Sequence, residues 1–369
     1  MSVRFVPVVL VAVFAAGCTP HRVAPIDSAA ATGCHDLRGP DGTTAGVALA
    51  WRRPSEDGRD GRRAPPAWCA AVGPAVAVPD RPPSSPPEAG IDAIAVVTWN
   101  VHVGGGDIVG FVQALRAGRL TNGTPVPDVI LLVQEAFRSS RDVPDRVPPG
   151  PGVRSAIRAH PPQGPRLDIV RAAARLEMTL VYVPSMRNGA AAAAGGEPED
   201  RGNAVLATRP LTDLAAIELP FERQRRVAVA ATVSGVTTAG TPWTVRAVSA
   251  HLDASASARH LWMFSSGLRA SQARALAGAL GSDRSVALGG DLNTWADGPF
   301  ERAPLLLARA FNDTPPVKLQ PTFGPLLLDY LFFRLPDSWR AESRRLDATF
   351  GSDHRPVLGW IRFEGRTQK

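Results

Sequence analysis

From Ile91 onward the chain is punctuated by short apolar runs. They read "AIAVVTWNV", "DVILLVQEA", "MTLVYVPS", "NAVLATRP", "RVAVAATVSG", "WTVRAVSAHL", "SVALGGDLN", "LLLDYLFFR" and "VLGWIRFE", each bounded by Gly, Pro, Asp or Asn. Runs this short and this rich in β-branched and aromatic residues predict strands. Elsewhere the apolar spacing becomes helical. Ile108, Phe111, Val112 and Leu115 share one face of "DIVGFVQALRAG", and Leu167, Val170 and Ala174 do so in "RLDIVRAAARLE". Residues 255 to 281 are rich in Ala and Leu and also predict helix, whereas "NGAAAAAGGEPED" predicts a low-complexity surface loop. Nine strands with fewer helices predict an α/β (α+β) sandwich of two sheets with helices outside.

The segment before Ile91 follows no such pattern. Residues 19–90 are rich in Pro, Gly and Arg and end in "VPDRPPSSPPEAG", which predicts an extended tether; "GVALAWRRP" and "AWCAAVG" between the cysteines predict a short strand and a pinned loop, a small stapled element and not a second domain. The first eighteen residues, "MSVRFVPVVLVAVFAAGC", hold one Arg and an apolar stretch too short to span a bilayer as a helix. This is the pattern of a secretory signal. Ala15-Ala16-Gly17 before Cys18 resembles the bacterial lipoprotein box, so Cys18 is the expected lipidation site. The expected location is the cell envelope, outside the cytoplasm and anchored to a membrane. In that oxidising space the two other cysteines, Cys34 and Cys69, are expected to pair.

Composition changes this picture little. The 369 residues are 44% hydrophobic and 20% charged, enough for a packed soluble core. The net charge of +7 comes almost wholly from Arg, since Lys318 and Lys369 are the only lysines. The arginines are interleaved with acids, so the charge is weak support for a polyanionic partner.

The chemistry lies where the strands stop. Asn100 ends "TWN", Glu135 ends "LLVQE", His251 ends "AVSAH", Asp291 and Asn293 close "LGGDLN", Asp329 closes "LLLD", and "GSDH" supplies Asp353 and His354. One Asp after a strand is ordinarily a turn former or a helix cap. Six such segments bearing the same chemistry point instead to one site on a rigid scaffold. Carboxylate and amide oxygens without cysteine suit Mg²⁺ or Mn²⁺. Two histidines add acid, base and hydrogen bonding, and no serine or cysteine nucleophile stands among them. That set predicts attack by water on a phosphate ester.

Taken in order, TWNV, QE, GNAVLATRP, SAHL, GGDLN, LDYLF and GSDHRPV resemble the endonuclease/exonuclease/phosphatase superfamily, the group of deoxyribonuclease I and exonuclease III. The resemblance covers about residues 91–365, within a domain taken as 91–369. It implies a four-layer α/β sandwich of two mostly antiparallel sheets, a divalent metal and phosphoester hydrolysis. By position it implies Glu135 as principal metal ligand, with Asn100 and Asp353 beside it. It implies His251 and His354 as a phosphate-binding, proton-moving pair, Asp291 as the residue that readies water, Asn293 as a phosphate contact, and Asp329 as the carboxylate orienting His354. Arg226 and Asn203 match substrate-side positions. His102 stands where some members carry a second acidic ligand, which favours one metal over two. His21, His35, His160 and His260 match no motif and are expected at the surface.

Two rival readings differ in class. Gly104 to Gly106 are consecutive and lack the spacing of a dinucleotide fingerprint, so "VHVGGGD" is expected to turn the chain beside Asn100 and start a helix after Asp107. A catalytically silent binding module would have dispensed with Asp291, His251 or His354, and all three are present. The substrate stays open between nucleic acid and a phospholipid or small phosphodiester, and a monomer is expected.

Overall fold

The computed structural model describes residues 23–25, 33–43, 45–54, 66–81, 88–146, 164–189, 196–221, 224–254, 265–281, 283–294, 301–311 and 320–363. Strands run in chain order from β1 (Val23–Pro25), β2 (Leu37–Arg38), β3 (Ala50–Pro54) and β4 (Ala75–Val78) to β5 (Ala93–Asn100), β6 (Val129–Ser139), β7 (Thr179–Arg187) and β8 (Glu199–Ala207). They continue with β9 (Leu211–Glu218), β10 (Val227–Val236), β11 (Pro242–His251), β12 (Val286–Asp291), β13 (Asp329–Arg334), β14 (Arg340–Arg345) and β15 (Val357–Arg362). One sheet has the order β1-β3-β9-β10-β11-β12-β13 and the other β14-β15-β5-β6-β8-β7-β4-β2. Helices α1 (Pro66–Cys69), α2 (Ile108–Arg116), α3 (Ile169–Leu176), α4 (Ser265–Ala279) and α5 (Arg302–Ala310) complete the fold.

Period-two alternation builds the layers. Along β5, Ile94 and Val96 face the other sheet, where they join Ile130, Leu132, Val229, Ala287 and Phe333 in the central core. Ala95, Val97 and Trp99 face outward onto Phe111 and Leu115 of α2 and Ile169 and Leu176 of α3. On the opposite flank Val248, Leu288 and Phe332 pack against Leu276 of α4 and Leu307 of α5. Inner strands are thus buried on both faces, which is why their sequences read as continuous apolar runs. Asp107 caps α2 by accepting from the Gly110 N–H at 2.8 Å, and Asp168 caps α3 by accepting from Val170 N at 2.8 Å. The face of α3 toward the sheet is Ile169, Ala172, Ala173 and Leu176, not the Leu167–Val170–Ala174 stripe expected from spacing.

Residues before Ile91 are more than a tether. β1 and β3 extend one sheet beyond β9, while β2 and β4 extend the other beyond β7. Trp51, Ala75 and Ala77 enter the central core. The strand expected in "GVALAWRRP" is β3; the others, of two to four residues, carry too little alternation to reveal themselves in sequence, and it is the open sheet edges that recruit them. Cys34 and Cys69 form a disulfide with Cα atoms 5.3 Å apart. His35, expected at the surface, is half-buried edge-on to Trp51, with centroids 4.5 Å apart. Cys18 lies outside the described residues, as do His21, His160, His260 and most of the low-complexity loop. No helix among the described residues is long and apolar enough to cross a membrane.

Candidate active site

The face of each central strand that builds the core turns polar at one end. The same alternation that sends Ile94 and Val96 inward sends Thr98 and Asn100 there, and likewise Ser249 and His251 on β11. Register does the rest. His251 pairs with Asp291 across the parallel β11–β12 ladder, and Asp291 pairs with Asp329 across the antiparallel β12–β13 ladder. Three chemical side chains therefore stand in one row, a strand spacing of about 4.8 Å apart.

The second sheet closes on that row. Asn100 at the end of β5 donates from Nδ2 to Asp291 Oδ2 at 2.9 Å, and its Oδ1 accepts from His102 N at 3.0 Å. His354 precedes β15, and its Nδ1 meets Asp329 Oδ2 at 2.7 Å. Its Nε2 lies 3.9 Å from Asp291 Oδ2, while His251 Nε2 lies 3.4 Å from that same oxygen. Ser352 anchors the loop, accepting from His354 N at 3.0 Å and donating to Asn100 O at 2.7 Å. Trp99 Nε1 donates to His354 O at 3.1 Å. Asn293 turns back on Asp291, donating its backbone N–H to Oδ1 at 2.8 Å and its Nδ2 to Leu252 O at 2.9 Å.

Below the row, Gln134 bridges the sheets by donating from Nε2 to Ser249 Oγ at 3.0 Å, and Ser249 donates on to Val133 O at 2.8 Å. Gln134 and Ser352 hold the site yet escaped the sequence reading, because a single amide inside an apolar run, or one hydroxyl in a polar loop, carries no chemical signature of its own.

Burial sets the charges. Burial and the neighbouring Asp329 carboxylate push Asp291 up to about 7, against the pull of His354 and the hydrogen bonds from Asn100 and Asn293. For His354 burial opposes the charged form, but the Asp329 charge and hydrogen bond, helped by Asp291 and Asp353, push it up to about 10. His251 goes the other way: burial, then Arg226, His354 and Arg201, hold it well below the ordinary imidazole range. The site thus pairs an imidazolium at His354 with a neutral imidazole at His251, a division that joint assignment of the two from sequence did not make.

Glu135, Asn203 and Arg226 lie to one side. Glu135 sits at a bulge in β6, where the register against β8 shifts between Val133 and Ala136, and its φ is 52°. A bulge re-aims a side chain, and left-handed backbone at a non-glycine residue marks sites where function is set against strain. Glu135 lines a cavity with Ser185, Arg201, Asn203, Arg226 and His251. Asp353 is more exposed, its Oδ1 3.6 Å from His102 Nδ1 and 3.9 Å from His354 Nε2. The glycine turn behaves as expected from its sequence: Gly104 has φ 77°, and a Cβ there would lie 2.2 Å from the Phe137 ring.

The geometry has a counterpart in sequence. The model of the endonuclease/exonuclease/phosphatase family matches residues 97–354, the stretch from β5 to His354. The chain belongs to that family. Members of this group are hydrolases that act on phosphoesters and are generally dependent on a divalent metal. The search of curated proteins found no match. Among solved structures, the human Nocturnin catalytic domain with bound sulfate is 18% identical, covering 74% of this chain and 96% of its own, with a TM-score of 0.42. Sphingomyelinase C from Streptomyces griseocarneus is 17% identical, covering 73% and 99%, at 0.39. The 3'-5' exonuclease NExo from Neisseria meningitidis is 15% identical, covering 72% and 98%, at 0.40.

Proposed function

We propose that the protein is a divalent-metal-dependent phosphodiesterase that attacks phosphorus with water. The observation that carries this reading is the row His251–Asp291–Asp329 in register, with His354 clamped to Asp329 and Asn100 clamped to Asp291. Asp291, pushed up to about 7, suits a base that takes a proton from water near neutral pH. His354, protonated and held by Asp329, supplies positive charge to the phosphoryl oxygens and is the donor available to the leaving oxygen. Neutral His251 and the amide of Asn293 orient the phosphoryl group.

The donor set beside this row fits a hard cation. Glu135 is a half-buried carboxylate facing the cavity, and Asn203 Oδ1 there is a buried acceptor without a hydrogen-bond partner among the described residues. Mg²⁺ or Mn²⁺ takes one or two such oxygens and keeps its waters. Glu135 would hold it, with Asn100 and Asp353 at its margin. When bound, the metal would add Lewis-acid charge at the phosphoryl oxygens.

Supporting the reading that this chemistry takes place in the envelope is the signal-like segment ending at Cys18. Cys18→Ser is expected to move the protein from the membrane fraction to the soluble one. For the chemistry, a chromogenic phosphodiester is expected to turn over with Mg²⁺ and to stop with chelator. Glu135→Gln should raise the Mg²⁺ concentration needed for half-maximal rate tenfold or more. An unchanged metal requirement in that variant would remove Glu135 from the metal site.

A further inference from the structure

The loop that carries His354 bends through left-handed backbone at two consecutive residues, Phe350 with φ 48° and Gly351 with φ 88°. Glycine takes such angles freely, but at a bulky residue they are an outlier. Gly351 also has a steric reason to be glycine, since a Cβ there would lie 2.9 Å from Gly105 O. For Phe350 the compensation comes from its ring.

That ring belongs to a group of three. Phe350 is half-buried and meets Phe111 of α2 edge-on, with centroids 5.3 Å apart at 89°. It meets Trp99 of β5 at 6.4 Å and 73°, and Trp99 lies 5.2 Å from Phe111. Trp99 and Phe111 are both buried. The glycine turn after β5 shapes the seat. Gly106 lies against the Trp99 indole, where a Cβ would come within 2.7 Å, and Asp107 N donates to Phe350 O at 2.7 Å.

Trp99 also reaches the site, because its Nε1 donates to His354 O at 3.1 Å. Phe350 is therefore joined to His354 twice, along the loop and across space through the indole. Both paths end on the His354 backbone and leave its ring to meet Asp329 Oδ2 at 2.7 Å. A contact that short depends on where the backbone sits, and a displacement of about 1 Å far from the reacting atoms can cost roughly 10²-fold in rate.

We propose that Phe350 is a positioning residue for the hydrolysis, an aromatic anchor that fixes the His354 loop through Trp99. This rests on the hydrolase reading and adds to it a side chain outside the reacting row. Glycine at position 350 would relax the backbone and lose the anchor, so the proposal predicts a loss where backbone strain alone predicts none.

Two measurements on the full chain test this. The first needs no turnover: the Trp99 indole N–H, assigned by its absence in Trp99→Phe, is followed by NMR on metal-free protein. Its exchange with solvent is expected to rise about tenfold or more in Phe350→Ala. The second is turnover of a chromogenic phosphodiester with Mg²⁺. Phe350→Ala and Phe350→Gly should each lower kcat about tenfold or more, with KM and the Mg²⁺ concentration for half-maximal rate held within about twofold. Phe350→Leu, which keeps apolar bulk, should fall between wild type and alanine, and it carries the test if the smaller side chains do not fold. In a His354→Ala background, Phe350→Ala should cost less than about twofold, because the anchor acts through His354. A merely structural ring would cost the same in both backgrounds. Wild-type kcat in folded Phe350→Gly, a loss undiminished without His354, or an indole that exchanges as in the wild type would overturn the proposal. A wild type without turnover, whose indole still responds to Phe350→Ala, would fault the hydrolase reading and leave the anchor standing.

Discussion

At the scale of single residues the site is a problem of burying charge. Asp291, Asp329 and His354 are all buried, and they coexist because each carboxylate has a fixed donor. Removing one donor should therefore act on its neighbour. In Asp329→Asn the His354 imidazole loses its largest support for the charged form, and its pKa should fall well below about 10, followed by NMR on metal-free protein. A His354 resonance that titrates unchanged in the variant would refute the clamp. A second residue-scale prediction concerns Glu218. Burial raises Glu218, but Arg225, 2.8 Å away, and His35, at 3.5 Å, bring it down to about 2 from the ordinary 4.5. With its folded pKa depressed, Glu218 contributes stability that is full above pH 4.5 and disappears as pH falls through about 2. The shift is worth about 3 kcal/mol at 1.36 kcal/mol per unit. Glu218→Gln should flatten that part of the acid-stability curve, measured by denaturant unfolding between pH 5 and pH 2.

At the scale of elements, all nine apolar runs became strands, since burial on both faces gives long, unmistakable apolar stretches. The strands that escaped had less apolar pattern to offer. β9 carries Thr212 and Asp213 near its start, and β14, "RAESRR", is a charged edge strand whose alternation is only partial burial. α5 escaped as well, its "RAPLLLARA" carrying Pro304 in the first turn, where a helix accepts it. Strand ends revealed the chemical residues, but the bulges that aim Glu135 and Ser185 depend on pairing partners far along the chain and are invisible locally. Caps are legible and testable. Asp168 accepts from Val170 N and Arg171 N at the start of α3 and from Ser139 N at the end of β6. Asp168→Ala is expected to cost about 1–2 kcal/mol, read from the thermal or urea midpoint.

For the whole molecule, the four layers and the family follow from Ile91 onward, whereas the N-terminal contribution does not. Of the four strands there, "GVALAWRRP" gave away β3 alone; proline-rich composition hid β1, β2 and β4, which only the finished sheet edges can order. The Cys34–Cys69 bond closes this region over a separation of 35 residues. Loop entropy at that length gives about 4 kcal/mol, so Cys34→Ser with Cys69→Ser should lower stability by that order and expose residues before 91 to protease first. An N-terminal segment tied into both sheets also means that a truncation at 90 removes part of the core, Trp51 included. Function is best tested on a chain that keeps it.

The central claim is that Asp291, seated in the row between His251 and Asp329, readies the water that attacks phosphorus. The most direct measurement is kcat/KM on a chromogenic phosphodiester with saturating Mg²⁺, for the wild type and for Asp291→Asn, each first shown to unfold at a similar temperature. A fall of about 10²- to 10⁴-fold in the variant, carried by kcat, is the predicted result. A folded variant that keeps wild-type turnover would contradict it.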